Sequence, residues 1–182
     1  YSKSYQFSET RSDVQFNNSK LILSNGSEID LKKDHSTVAL NDNGIQINND
    51  SIIDLQKINN GNNKMNEVVV PYGKRSELVL EDGTKVWLNA GSRLAFPTKF
   101  EQKTRTVYLE GEAYFEVSHN EQRAFFVNVN ELEVRVLGTR FNVTAYSSDE
   151  QIETVLLEGK VSINELGSLG FLKQEVLLKP NQ

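Results

Sequence analysis

The chain contains no cysteine. That removes disulfides, thiolate metal sites and cysteine nucleophiles together, and it leaves the compartment open, because bacterial envelope proteins often do without disulfides. Histidine is almost as scarce: His35 and His119 are the only imidazoles, with no HxH or HExxH spacing. A transition-metal centre would have to be built almost entirely of carboxylates, so no metal and no cofactor are expected. A GxSxG elbow for a serine nucleophile is missing, and no catalytic residue is expected. Apolar runs of about 18 residues are also missing. The longest apolar patches, Val68-Val69-Val70 and Phe125-Phe126-Val127, are strand-sized, so no helix here crosses a bilayer. Net charge is −5, with Lys and Arg scattered instead of gathered in a stripe, which argues against nucleic acid as a partner. The chain opens at Tyr1 with no Met and no basic-then-apolar leader, so further polypeptide is expected upstream.

What is present is period-two alternation. In residues 78–117, Leu78, Leu80, Val86, Leu88 and then Val107, Leu109, Ala113, Phe115 and Val117 fall on every second position. This puts apolar side chains on one face of a strand. Asp82-Gly83 breaks the first run where a tight turn needs positive φ, which Gly adopts without steric cost. Gly111 interrupts the second run, as a bulge or a close backbone approach would require. The stretch Leu21 to Leu31, with Asn25-Gly26 at its centre, matches Leu78 to Leu88 in apolar, turn and polar character, and Leu109 to Phe115 is echoed by Leu157 to Ile163. Such repeats predict stacking coils or a layered sandwich, since a lone hairpin cannot bury its apolar face. The fold class expected is all-β, with repeated short strands forming a solenoid-like or sandwich body.

Taken in order, residues 1–19 predict a lead-in segment with little regular structure. Residues 20–66 predict an N-terminal β repeat region, with strands at 36–40 and 44–48, an ambiguous stretch at 50–58 and an Asn-rich loop around Asn59-Asn60-Gly61-Asn62-Asn63. Residues 67–165 form the principal β domain, with Pro71 at an edge or corner and further strands at 124–129, 132–137, 141–146 and 151–157. Residues 166–182 hold a loop at 167–170 and a final strand at 175–178. At 182 residues the chain suffices for one domain burying roughly 70% of its unfolded surface.

Glu110, Glu112 and Glu116 share one face of a strand, which suggests either paired glycosidase carboxylates or an ordinary solvated face. Tyr108 and Tyr114 point outward on the same strand, as a sugar platform or a partner contact. Trp87 faces away from Val86 and Leu88, either as a second packing layer or as a binding aromatic. N-x-S/T occurs at Asn17, Asn25, Asn49 and Asn142, a motif frequent by chance in so Asn-rich a chain.

Val70-Pro71-Tyr72-Gly73, Asp82-Gly83-Thr84 with Val86-Trp87-Leu88-Asn89-Ala90, Arg105-x-Val107-x-Leu109-x-Gly111-Glu112-Ala113-Tyr114-Phe115, Val136-Leu137-Gly138-Thr139-x-Phe141-Asn142-Val143 and Leu157-Glu158-Gly159 resemble, in this order, the FecR family of envelope sensors. The resemblance spans roughly residues 68–163. It implies a single-pass inner-membrane anti-sigma regulator. A cytoplasmic part outside this chain would hold an extracytoplasmic-function sigma factor, a helix also outside it would anchor the protein in the membrane, and this part would lie in the periplasm. There it would receive a signal from a TonB-dependent outer-membrane transducer, which a small C-terminal domain expected beyond residue 182 would be the part to meet. The motif residues Pro71, Gly73, Asp82, Gly83, Trp87, Asn89, Gly111, Phe115, Gly138, Phe141, Asn142 and Gly159 are expected to be mainly fold determinants, with Tyr108 and Tyr114 as possible exposed contacts. The alternative is a carbohydrate-binding β-sandwich of the bacterial envelope.

Overall fold

Alternation at every second residue yields sixteen strands and, among the described residues, no helix. The computed structural model describes residues 5–7, 17–41, 44–48, 50–54, 65–149, 151–166 and 172–178. Strands β1 (Ser19–Ile22) and β2 (Glu28–Leu31) form a hairpin in one layer, sheet A. Strands β3 (His35–Asn41), β4 (Gly44–Ile47) and β5 (Ser51–Ile53) lie in a second layer, sheet B. The chain returns to A with β6 (Met65–Val70), to B with β7 (Arg75–Val79) and β8 (Lys85–Leu88), and to A with β9 (Ser92–Pro97). Strand β10 (Thr104–Glu116) belongs to both. After it come β11 (Ala124–Val129) and β12 (Leu132–Val136) in A, β13 (Arg140–Ala145) and β14 (Glu153–Glu158) in B, and β15 (Val161–Leu166) and β16 (Leu172–Leu178) in A.

Sheet A runs β2-β1-β6-β9-β10-β11-β12-β15-β16, and sheet B runs β5-β4-β3-β7-β8-β10-β13-β14. Only β3–β7 and β10–β11 pair in parallel. The result is one mixed sheet curled into two layers, all-β as the alternation predicts. The layers resemble a sandwich, and the repeated crossing from layer to layer resembles a coil.

Both layers close over one apolar cluster. Phe115 of sheet B stacks on its cross-strand neighbour Phe141, with ring centroids 5.1 Å apart, and meets Phe125 of sheet A edge-on at 6.3 Å. The repeat of Leu21 to Leu31 in Leu78 to Leu88 is real at the level of single bonds, whereas Leu109 to Phe115 lies within the one strand β10 and its echo Leu157 to Ile163 runs from β14 into β15. In the first hairpin Leu23 N donates to Ser27 O and Gly26 N to Leu23 O, both at 2.8 Å; in the second, Leu80 N donates to Thr84 O at 2.8 Å and Gly83 N to Leu80 O at 2.9 Å. The two hairpins lie in different layers, so the repeat units are not neighbours within one sheet.

Gly111 marks where β10 changes layers. Up to Glu110 the strand pairs with β9 of sheet A, and from Gly111 onward with β13 of sheet B. A Cβ on Gly111 would lie 2.5 Å from Ser92 Oγ and 2.7 Å from Ser92 Cα, and its φ is +95°. The expected close approach is therefore what Gly111 provides, without a break in the strand. The Asn-rich loop at 59–63, the stretch 55–58, Asn49 and the loop at 167–170 lie outside the described residues.

Candidate functional site

Two polar clusters stand out, one inside the curled sheet and one on the outer face of sheet B. The inner one grows from the Asp82-Gly83 turn. Asp82 Oδ1 accepts from Thr84 N at 3.0 Å, and Oδ2 accepts from Thr84 Oγ1 at 2.7 Å and from Arg105 Nη1 at 2.8 Å. Arg105 is in phase with Val107 and Leu109, so alternation carries it inward, where it is only 1% exposed. A guanidinium in that position needs acceptors on every side. Besides Asp82 it finds Arg123 O for Nε and Ser118 O for Nη1, both at 2.8 Å, and the Phe125 ring 5.5 Å away, while Nη2 has no partner. The Asp82-Gly83 turn and both ends of the loop between β10 and β11 are thereby tied to one ion pair. This is a structural hub, and its chemistry is positional.

The outer cluster uses the opposite phase of the same strands. Trp87 of β8 and Tyr114 of β10 are register partners, with ring centroids 5.4 Å apart and planes inclined at 43°. Next in that row is Asn142 of β13. One pleat along β10, the Glu112 carboxylate accepts from Asn89 Nδ2 at 2.8 Å and from Asn142 Nδ2 at 3.2 Å. These side chains, with His35 and Arg75 at one rim, line a groove of about 270 Å³. Beside it Tyr146 donates to Ala90 O at 2.9 Å. Burial raises the Tyr146 phenol above its usual range, the Glu112 charge adds to this, and a hydrogen bond with Ser92 opposes it.

The expected site residues separate into three kinds of place. Phe115 and Phe141 are core. Gly73, Gly83, Gly111 and Gly159 hold positive φ, and Pro71 opens the turn in which Lys74 N donates to its carbonyl. Gly138 has no such φ; a Cβ there would lie 2.6 Å from His119 Cα, so it permits a close crossing of two loops. Asp82 does more than turn the chain, since it is the acid of the hub. Trp87, Asn89, Asn142 and Tyr114 converge with Glu112 on the outer groove.

Tyr108, expected as a possible exposed contact, is half-buried and lies under Tyr5 of the lead-in segment, stacked at 5.0 Å. Tyr5 Oη in turn donates to Glu67 Oε1 at 2.7 Å. Burial raises Tyr108 above the usual phenol range, and the charges of Glu101 and Glu133 push the same way. It shares no ring contact with Tyr114, because β10 changes layers between them. Glu110, Glu112 and Glu116 are likewise not one group: Glu110 pairs with Arg93 at 3.3 Å, and Glu116 with Arg140 at 2.9 Å. Among the described residues no three His, Asp or Glu side chains cluster as metal ligands.

Fold and site define the class as an all-β, two-layered body with an outer side-chain groove and a buried ion-pair hub. The model of the FecR protein family matches residues 66–162, more than half of the chain, and the chain belongs to that family. Two crystal structures of a candidate anti-sigma factor from Parabacteroides distasonis ATCC 8503 are similar to it. One is 37% identical with a TM-score of 0.58, over 63% of this chain and 51% of the other. The second is 36% identical with a TM-score of 0.59, over 64% and 52%. The chain thus spans about half the length of the structures it matches. No curated protein is significantly similar to it.

Proposed function

We propose that this chain is the signal-receiving part of a FecR-like anti-sigma regulator of the bacterial envelope. In this reading it lies in the periplasm, takes a contact from a TonB-dependent outer-membrane transducer, and passes it by protein contact to the part of the regulator that holds an extracytoplasmic-function sigma factor. The observation that carries the reading is the match of residues 66–162 to the FecR model, joined to neighbours described as candidate anti-sigma factors. The architecture supports it, because β10 is hydrogen-bonded into both layers and couples a contact on one to the other. Exposed edge strands such as β14, with Val155 and Leu157 at its surface, suit partner docking by strand addition.

A pulldown tests this, using the full envelope portion with and without residues 1–182 against the N-terminal signalling domain of the transporter encoded beside it. Binding that weakens without this piece makes it part of the receiving surface. Binding unchanged without it makes it a spacer and relay, and no binding in either case overturns the reading.

A further inference from the structure

We propose that the groove on the outer face of sheet B binds a neutral saccharide, with one pyranose ring seated on Trp87 and Tyr114 and its hydroxyls read by Glu112, Asn89 and Asn142. The groove would hold whether or not the relay reading does. Its floor is aromatic where alternation leaves side chains outside the core, so the rings are not spent on packing the interior. An aromatic face carries partial negative charge, and the C–H face of a sugar ring presents the complementary apolar and weakly positive surface. Pyranose hydroxyls donate and accept at adjacent carbons. They need a mixed set of partners, and the groove supplies one. The Glu112 carboxylate has about four lone-pair sites, of which Asn89 and Asn142 occupy two. The amide bonds hold the carboxylate in place before any ligand arrives, which lowers the ordering cost of binding.

Location and size narrow the occupant. Strands β7, β8, β10 and β13 are each paired on both sides, so no free backbone edge is open at the groove for a peptide strand. A ligand here is recognised by side chains alone. At about 270 Å³ the space falls just below the common range for drug-sized ligands, and so suits one or two rings. The carboxylate in the floor disfavours acidic or phosphorylated sugars. Tyr72 is 83% exposed on the turn after β6, and its ring lies against Gly91, two residues beyond Asn89. The larger depression of about 390 Å³ beside Leu177 offers no Trp, Tyr or Phe side chain.

Trp87 is the only tryptophan of the chain, so its emission reports on the groove directly. The experiment titrates the 182-residue chain with cellotriose, maltotriose, mannotriose and chitotriose, followed by Trp87 emission and by calorimetry. The expected result is saturable binding of at least one of the four with Kd at or below about 1 mM. Glu112→Gln and, separately, Tyr114→Ala should each weaken it about tenfold or more, with the thermal midpoint of Glu112→Gln unchanged. No saturable signal with any of the four at about 10 mM overturns the proposal, as does binding that both variants retain. Protection of Trp87 from acrylamide quenching in the full envelope portion also overturns it, because the groove would then be filled by the protein itself.

Discussion

Replacing Arg105 by Met keeps most of the side-chain stem and removes the guanidinium from a site that is 1% exposed. Asp82, 8% exposed, would then be a buried carboxylate without its counter-charge, a loss of about 3–5 kcal/mol for one partner of a buried pair. Arg123 O and Ser118 O lose their donors as well, at about 1–3 kcal/mol each if no water reaches them. Those terms overlap, and Asp82 keeps its bonds from Thr84, so a net cost of about 4 kcal/mol is expected. With a urea slope of about 2 kcal/mol/M, the unfolding midpoint should fall by about 2 M. Lys at the same position keeps the charge but not the planar fork that reaches three acceptors, and should cost about 2 kcal/mol. Asp82→Asn combined with Arg105→Met should cost less than the two single changes added, by about 2 kcal/mol. A midpoint shift below about 0.5 M for Arg105→Met, or strict additivity in the double variant, would refute the hub.

Gly111→Ala should cost about 3 kcal/mol, through contact with Ser92 and a positive φ; Gly73→Ala, with similar φ and nothing within 4 Å, should cost about 1 kcal/mol, and urea melts of the pair separate clash from conformation. Phe115→Ala should cost about 3–5 kcal/mol, whereas half-buried Trp87→Ala should cost under about 2 kcal/mol; equal losses would contradict the division into inner and outer faces. Burial raises the Glu133 carboxyl above its usual range, against opposing effects of Asn164 and Arg135. The folded state therefore binds this proton more tightly than the unfolded chain, and the associated stability is present at low pH and lost as pH rises through the raised pKa. Glu133→Gln should raise the thermal midpoint near pH 7 and leave it unchanged at about pH 3, a difference that scanning calorimetry reads.

The turns were the most legible features, because their chemistry is local. Asn25-Gly26 and Asp82-Gly83 announce tight turns, and the same bond pattern closes both. Phe115 and Phe141 follow from alternation alone. Arg105 could have been found the same way: it lies in phase with Val107 and Leu109, and an inward arginine requires a carboxylate. That the carboxylate is Asp82 depends on a loop contact 23 residues back along the chain, which no period reveals. The outer groove was hidden for a similar reason. Trp87, Glu112 and Asn142 come together through strand register, and register is set by the whole curled sheet rather than by any one segment. Tyr108 looked outward by parity, as it is, but its cover is supplied by Tyr5 at the other end of the sequence.

The dual membership of β10 has a kinetic consequence. A strand bonded into both layers cannot be released by opening either one alone, so its amides should exchange with solvent only when the body opens as a whole. Edge segments such as β5 and β16 can fray without disturbing it. Slow hydrogen exchange should therefore run unbroken along residues 105–115, across the Gly111 crossing, and make the two layers one cooperative unit rather than two.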